Sequence, residues 1–272
     1  MKPYFCFDFT LSPPASSFLE SLPENIPLVK PKPEPQNLCP YKVPTVDEII
    51  KRIDSAAYKV DKHKFISDVF ECGAIAISNA VDFTQNKQRE ERYLQIINAY
   101  PKKEQQLLCE VFGMIYLLLS SVVYDDGVFN DYLGDLFMRC NQGNKTAGQF
   151  FTPYHISKFM AKVSIDEGVI KKTKNDGIVT ISDPCCGGGG MLIAALDTLK
   201  NDYGVNYAQN CFMVGNDIDI RCVHMTYLQL ALAGVPAIVY HQDSLTRELW
   251  SVWKTPAFIL QYFRFRKFEN YA

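Results

Sequence analysis

The sequence has no apolar run of the ~18 residues that a membrane-spanning helix requires. The strongest apolar run, Val111 to Val123, is shorter than that and predicts a buried helix. The first residues contain neither a long apolar core nor the small-residue cleavage site of a signal peptide. We therefore expect a cytoplasmic protein that does not bind a membrane.

Clustered cysteines are also missing. The nine cysteines are scattered, and they form no CxxC pair and no Cys/His cluster with the spacing of a zinc site. Scattered cysteines are typical of reduced thiols in a cytosolic protein. The sequence therefore predicts no metal site and no disulfide framework.

An excess of positive charge is the third absence. Lysine and arginine number 28 against 30 aspartates and glutamates, so the formal net charge is −2. Proteins that neutralise many phosphates usually have a basic surface. Any contact with DNA therefore needs a local basic patch or a partner chain.

The chain divides into three segments. Proline recurs through residues 1–44 and predicts an extended arm rather than regular structure. Residues 45–140 predict a helical N-terminal domain, which begins with Thr45 and Glu48 at the spacing of a capping box. Further helices are predicted around 64–80, 87–99, 102–123 and 127–140.

Residues 141–272 follow a different pattern, in which strands alternate with helices. The predicted strands cover 177–182, 212–215 and 237–240, and the predicted helices between them cover 191–199 and 221–233. Such alternation indicates an α/β domain with a parallel, doubly wound sheet.

The strongest motif is a glycine turn between the first predicted strand and its helix. Asp183-Pro-Cys-Cys is followed there by four consecutive glycines, Gly187 to Gly190. Parallel sheets bind ligands at the carboxyl ends of their strands, where glycine permits close approach of the backbone. Neither GxGxxG nor GxxxxGK[ST] occurs, which favours a nucleoside without phosphates. A tight turn without a ligand is the alternative.

These segments resemble the adenine-N6 DNA methylases, especially the modification subunits of type I restriction systems. The glycine turn is similar to the family's DPxCGSGGxL motif, with Gly188 in place of serine. Residues 148–153, GQFFTP, match another family motif. Three further segments, 131–137, 215–219 and 241–245, resemble the family's D-x-L-G, G-x-[DE]-x-[DN] and G-[DN]-[ST]-L motifs.

The resemblance implies a Rossmann-like methyltransferase sheet that binds S-adenosylmethionine (SAM). It places the hexapeptide over the methionine end of SAM, and it places Asp183 and Gly187 against the methionine moiety. The predicted cofactor residues of these two motifs are Gln149, Phe150, Thr152, Pro153, Asp183, Cys185, Gly187 and Gly189.

The resemblance also implies how the nucleoside end is held. Asp217 ends the second predicted strand, where a carboxylate can accept both ribose hydroxyls. Asp243 would accept a hydrogen bond from the adenine amino group. Leu245 or Ile218 would pack on the adenine ring.

The family's catalytic tetrapeptide, NPP[YF], does not occur in the sequence. The nearest segment is Thr255-Pro-Ala-Phe258, so Thr255, Pro256 and Phe258 are the candidate catalytic residues of a degenerate motif. Alternatively, Ala257 to Phe263 is the fourth strand and the methyltransferase domain is incomplete. The basic, aromatic residues 262–267 then form an edge strand, a protein interface or a nucleic-acid contact.

We therefore expect a methyltransferase-like protein that transfers a methyl group to adenine N6 in DNA, alone or with a recognition subunit. The alternative is an inactive protein that binds SAM and interacts with other proteins. A third possibility is methyl transfer to RNA, to protein or to a small molecule, which the GQFFTP segment disfavours.

Overall fold

The structure is a computed structural model, and it describes residues 39–55, 61–140, 151–174 and 177–268. Most of the predicted arm, residues 1–44, lies outside this part, as do Gln149 and Phe150. The helices of the first half are α1 (Val46–Asp54), α2 (Lys62–Asn79), α3 (Asn86–Asn98), α4 (Lys102–Ser120) and α5 (Tyr132–Cys140).

Helix α1 begins at the predicted capping box. The Thr45 hydroxyl accepts a hydrogen bond from the Glu48 backbone N–H at 3.2 Å, and the Glu48 carboxylate accepts one from the Thr45 N–H at 2.8 Å. These bonds satisfy backbone donors that a helix start otherwise leaves open. The prediction is confirmed, and the other predicted helices form within a few residues of their predicted bounds, except that 127–131 is not helical.

The α4 helix and the turn after it, Lys102–Val123, are long and apolar enough to cross a membrane. The helix packs against α1 and α2, however, and buries Leu107, Val111, Ile115 and Leu118. These buried residues belong to the core of the protein, in agreement with the buried helix predicted within Val111 to Val123.

The second half carries the sheet. Its strands are β1 (Val179–Asp183), β2 (Cys211–Asp217), β3 (Ala237–Gln242) and β4 (Leu249–Lys254), and its helices are α6 (Tyr154–Ser164), α7 (Glu167–Lys174), α8 (Gly190–Asp197), α9 (Tyr207–Asn210), α10 (Ile220–Leu232), α11 (Pro256–Leu260) and α12 (Tyr262–Phe265).

The four strands lie in the order β1-β2-β3-β4. The first three are parallel, and their register places Asp183 beside Gly215 and Asp217 beside His241. Their carboxyl ends therefore share one edge of the sheet. The predicted α/β fold with a largely parallel sheet is confirmed.

Strand β4 runs antiparallel to β3. Neither this strand nor its direction was predicted from the sequence. The alternative that residues 257–263 form a fourth strand is wrong, because α11 and α12 occupy this region. The tail at 262–267 is helical for the same reason and is not an edge strand.

Helices cover both faces of the sheet, as expected for a doubly wound fold. On one face, Met213, Val239 and Trp253 belong to the large core that contains α8 and α10. On the other face, Phe212 and Ile238 pack with side chains of α11 and α12 and of the turn after them.

The helical half and the sheet share this large core, since α10 packs against α2 as well as against β3. Buried Arg89 of α3 adds a polar link. Its guanidinium donates to the Val252 carbonyl at 2.7 Å, lies 3.3 Å from the Asp82 carboxylate and stacks 4.1 Å above the ring of Trp253. A division at residue 140 into two domains stays a prediction.

Candidate cofactor site

The glycine turn follows directly from the end of β1. The Cys186 N–H donates to the Asn216 carbonyl at 2.8 Å, so the turn starts against the end of β2. Gly187 and Gly189 have φ angles of 54° and 92°. Side chains other than glycine are disfavoured at such angles, and the turn therefore needs glycine at both positions.

Asp217, at the end of β2, holds the first glycine in place. Its carboxylate accepts hydrogen bonds of 2.8 Å from the backbone N–H groups of Gly187 and Asp219. Burial raises the pKa of Asp217 above its ordinary value, although these two bonds oppose the rise. A carboxylate has about four lone-pair sites, so Asp217 can still accept hydroxyl donors from a ligand.

Asp131, just before α5, touches the other end of the turn. One of its oxygens, Oδ1, accepts from the Gly134 N–H at 3.0 Å and from the Gln229 side-chain amide at 2.8 Å. The same Gln229 amide donates to the Gly188 carbonyl at 2.6 Å. Asp131 and Gln229 thus join the helical half of the protein to the glycine turn.

The Asp131 carboxylate also explains why glycine occupies positions near it. A Cβ on Gly190 would lie 2.8 Å from Asp131 Oδ2, a Cβ on Gly134 would overlap the same oxygen, and a Cβ on Gly188 would lie 3.4 Å from Oδ1. Gly190 and Gly134 therefore leave room for a neighbouring side chain. Asp131 belongs to the segment that resembles D-x-L-G, but no role was predicted for it from the sequence.

A cavity of about 250 Å³ opens between these elements. Its carboxylates are Asp131, Asp183 and Asp217, and burial raises the pKa of each. The other lining residues are Phe151, Thr152, Ser157, Cys185, Cys186, Gly187, Gly188, Gly190, Met191 and Cys222. None of the described lining residues is a lysine, an arginine or a histidine, so the cavity favours a ligand with cationic and hydroxyl groups.

Five predicted cofactor residues line this cavity: Thr152, Asp183, Cys185, Gly187 and Asp217. Two others lie beside it, since Gly189 is inside the turn and Pro153 precedes the first residue of α6. Phe151, the neighbour of the predicted Phe150, contributes its ring to the cavity and lies 3.1 Å from where a Cβ of Gly187 would be.

The residues predicted for the adenine end lie outside the cavity lining. Ile218 is 62% exposed and Leu245 is 94% exposed. Asp243 accepts hydrogen bonds from the backbone N–H groups of Leu245 and Thr246, and these bonds lower its pKa. The loop stays close to the glycine turn, because Ser244 donates to the Pro184 carbonyl at 2.5 Å. The adenine contacts remain predictions.

The structure does not bring the candidate catalytic residues to the cavity. The Thr255 hydroxyl accepts from the Ala237 N–H at 2.9 Å and donates to the Val235 carbonyl at 2.6 Å. Ala237 begins β3, about 13 Å along the strand from His241, which pairs with Asp217 of the cavity lining. Thr255 therefore lies at the opposite edge of the sheet.

Pro256 and Phe258 follow Thr255 into α11, where Pro256 is the first helical residue and Phe258 packs 5.7 Å from the Phe212 ring. Antiparallel β4 returns the chain to the amino edge of the sheet, so Thr255, Pro256 and Phe258 lie away from the described cavity lining, and their assignment to catalysis stays a prediction. Their roles are to cap a helix and to fill a core.

No group of three or more His, Cys, Asp or Glu side chains in the described ranges is arranged to hold a metal ion. The eight cysteines of those ranges are all free thiols. Burial raises the pKa of Cys186, and burial with the neighbouring carboxylates raises that of Cys185. The raised values keep both thiols protonated and do not favour a nucleophilic role.

Comparison with known proteins gives one family and two similar structures. The N-6 DNA methylase family matches residues 126–265. A type I restriction-modification methyltransferase subunit from Streptococcus thermophilus is 20% identical with a TM-score of 0.39, over 76% of this chain and 40% of that one. A protein from Listeria monocytogenes named as a class I SAM-dependent methyltransferase is 21% identical with a TM-score of 0.37, over 69% and 56%. No curated protein matches the sequence.

Proposed function

Because the chain belongs to the N-6 DNA methylase family, we propose that its cavity binds SAM and that the protein transfers the methyl group to adenine N6 in DNA. A partner subunit supplies DNA recognition. In this reaction the adenine N6 lone pair attacks the methyl carbon, the carbon–sulfur bond breaks, and a proton leaves N6. The neutral thioether S-adenosylhomocysteine is the second product.

The charge of the cavity is the observation that carries the proposal. Three carboxylates line it, and no cationic side chain of the described residues does. SAM carries a sulfonium, an ammonium group and two ribose hydroxyls, all of which a carboxylate can attract or bind. The phosphates of a nucleotide or a dinucleotide would be repelled by the same lining.

The residues fit this cofactor at the ribose. Asp217 is held by the Gly187 and Asp219 N–H groups, so its carboxylate is oriented before a ligand arrives. Phe151, Met191 and Cys222 supply apolar surface around the polar groups, which is typical of small-molecule sites. These side chains exclude water from the bound cofactor and fix its orientation.

We propose that the partner subunit also positions the target adenine. A base has to leave the duplex before N6 can reach a methyl donor, and it is then held by stacking and hydrogen bonds. With Thr255 and Phe258 at the opposite edge of the sheet, these two residues of the degenerate motif do not reach the cavity. The formal charge of −2 agrees with a partner that contributes the basic DNA-binding surface.

The test of cofactor binding is calorimetric titration of the whole chain with SAM. We expect saturable binding in the native protein and a loss of about 10- to 150-fold in Asp217→Ala, the effect of one or two charge-assisted hydrogen bonds. Asp54→Ala, which removes a partly exposed carboxylate at the end of α1, should bind like the native protein. Absence of binding at millimolar SAM would overturn the proposal.

A second candidate function is a SAM-binding interaction protein without turnover, favoured by the position of Thr255 and by the missing NPP[YF]. An assay of methyl transfer from labelled SAM to DNA of mixed sequence distinguishes the two functions. It is run on the protein alone and again with the products of neighbouring genes. Methyl transfer supports the first function. SAM binding without transfer in either case supports the second.

We also place the protein in the cytoplasm, where the free thiols of its described cysteines are stable. Helix α4 packs in the core of the protein and is therefore not assigned to a membrane.

A further inference from the structure

The cavity contains a polar atom that the protein itself leaves without a partner. Ser157 of α6 is fully buried and lines the cavity, and its hydroxyl has no hydrogen-bond partner among the described residues. An unsatisfied buried hydroxyl costs about 1–3 kcal/mol. A hydroxyl in such a position indicates a ligand group that satisfies it.

A second free atom belongs to Asp131. Its Oδ1 has two donors, Gly134 and Gln229, whereas its Oδ2 receives no hydrogen bond from any described residue. The side chain is only 6% exposed and yet lines the same cavity. A buried carboxylate without a cationic neighbour favours a cation in the ligand.

We propose that Asp131 and Ser157 form the subsite for the α-ammonium group of the cofactor's amino-acid end. The inference rests on the proposed function and names two residues of its site. The ammonium donates to Asp131 Oδ2 and to the Ser157 hydroxyl, which both accept. Neither residue takes part in the methyl transfer, so both are positioning residues.

The shape of the turn agrees with this assignment. Asp217 contacts Gly187 at the start of the turn, whereas Asp131 lies against Gly188 and Gly190 at its end. Three Cα–Cα steps separate Gly187 from Gly190, at most about 11 Å. The two carboxylates are thus placed to bind an elongated ligand that has hydroxyls at one end and an ammonium at the other.

The opposite assignment, with the ligand carboxylate at Asp131, is disfavoured by charge. Two carboxylates in contact repel each other strongly when they are buried, and neither has a described lysine or arginine nearby in the cavity. The ammonium is therefore the group of the amino-acid end that matches this subsite.

The test compares two neutral-thioether ligands by calorimetry: S-adenosylhomocysteine and its analogue with hydrogen in place of the amino group. We expect the native protein to prefer the amine by at least about tenfold, the effect of a charge-assisted hydrogen bond. Asp131→Asn should abolish most of this preference. Ser157→Ala should reduce it by about three- to tenfold while keeping the protein folded, because only an unpartnered hydroxyl is removed.

The desamino analogue reports on the rest of the site. A variant that merely distorts the glycine turn would lower the affinity for both ligands equally. The preference for the amine would then survive, and this result would overturn the inference. Thr198→Val is the matched control, since Thr198 also has a buried, unpartnered hydroxyl but does not line the cavity. It should keep the native preference.

The two proposals fail in different ways. A native protein that binds both ligands equally well contradicts the ammonium subsite and leaves the proposed function intact. A native protein that binds neither ligand nor SAM contradicts both.

Discussion

The turn after β1 requires glycine for two different steric reasons. Gly187 and Gly189 adopt positive φ angles that other residues avoid. Gly190 has no such angle and is glycine because the Asp131 carboxylate occupies the space of its side chain. The first demand is local and can be anticipated from a strand–turn–helix pattern. The second depends on a residue from another part of the chain.

Gly190→Ala tests the second demand. We expect the free energy of unfolding to fall by about 1–3 kcal/mol, because the added methyl group would lie 2.8 Å from Oδ2 of the buried Asp131 carboxylate. Gly113→Ala is the control. It lies in α4 with no atom within 4 Å of the added methyl, so it should be more stable by about 0.5–1 kcal/mol. Urea unfolding measures both, and equal stability of the two variants would contradict the steric argument.

Asp183 and Asp217 could be assigned to the site from the sequence, because each ends a strand of recognisable pattern. Asp131 and Ser157 could not be found in this way. One precedes a helix of the first half and the other faces inward from α6, and only the packing of α6 on α8 and of α5 on α10 brings them together. Hydrophobic periodicity predicts which elements form, but not which of their polar residues meet.

The β4 strand is the element that sequence reasoning missed. The predicted strands end with 237–240, and no strand was predicted at Leu249–Lys254. In the structure Leu249 and Trp250 are about half exposed while Trp253 is buried. One-sided burial is typical of an antiparallel edge strand. The direction of β4 then decides that Thr255 reaches the edge of the sheet away from the cavity.

Thr255→Val tests the structural role of this residue. The shape of the side chain is kept, but the Ala237 N–H and the Val235 carbonyl lose their partner, and α11 loses its cap. We expect the free energy of unfolding to fall by about 1–3 kcal/mol, with SAM affinity changed by less than about twofold. Thr246→Val, at an exposed position in the loop before β4, should change stability by less than about 0.5 kcal/mol. A large loss of SAM affinity in folded Thr255→Val would restore a role for it in the site.

At the scale of the whole molecule, Arg89 connects the helical half with the sheet. Its guanidinium pairs with Asp82, donates to β4 and stacks on Trp253, and both charged side chains are less than a tenth exposed. Desolvation lowers the pKa of Arg89, and the Asp82 carboxylate counteracts this effect. Such a pair adds little stability over apolar residues of the same size, but losing one partner leaves a buried, unpaired charge.

Arg89→Ala should therefore lower the free energy of unfolding by about 3–5 kcal/mol. Arg92→Ala, three residues later, removes a half-exposed arginine paired with Glu71 and should cost about 1 kcal/mol or less.

Because the halves share one core, circular dichroism from the helices and tryptophan fluorescence from β4 should give the same urea midpoint. Separate midpoints would show that the two halves unfold independently.

The residues that form the cavity are synthesised at different times, and Asp131 is made early. Gly188 is synthesised 57 residues after Asp131, a delay of about 3–11 s at about 5–20 residues per second. Gln229, whose amide joins the two, leaves the ribosome later still. A nascent chain thus holds one wall of the cavity well before the other exists, and the cavity closes only after Gln229 has been synthesised.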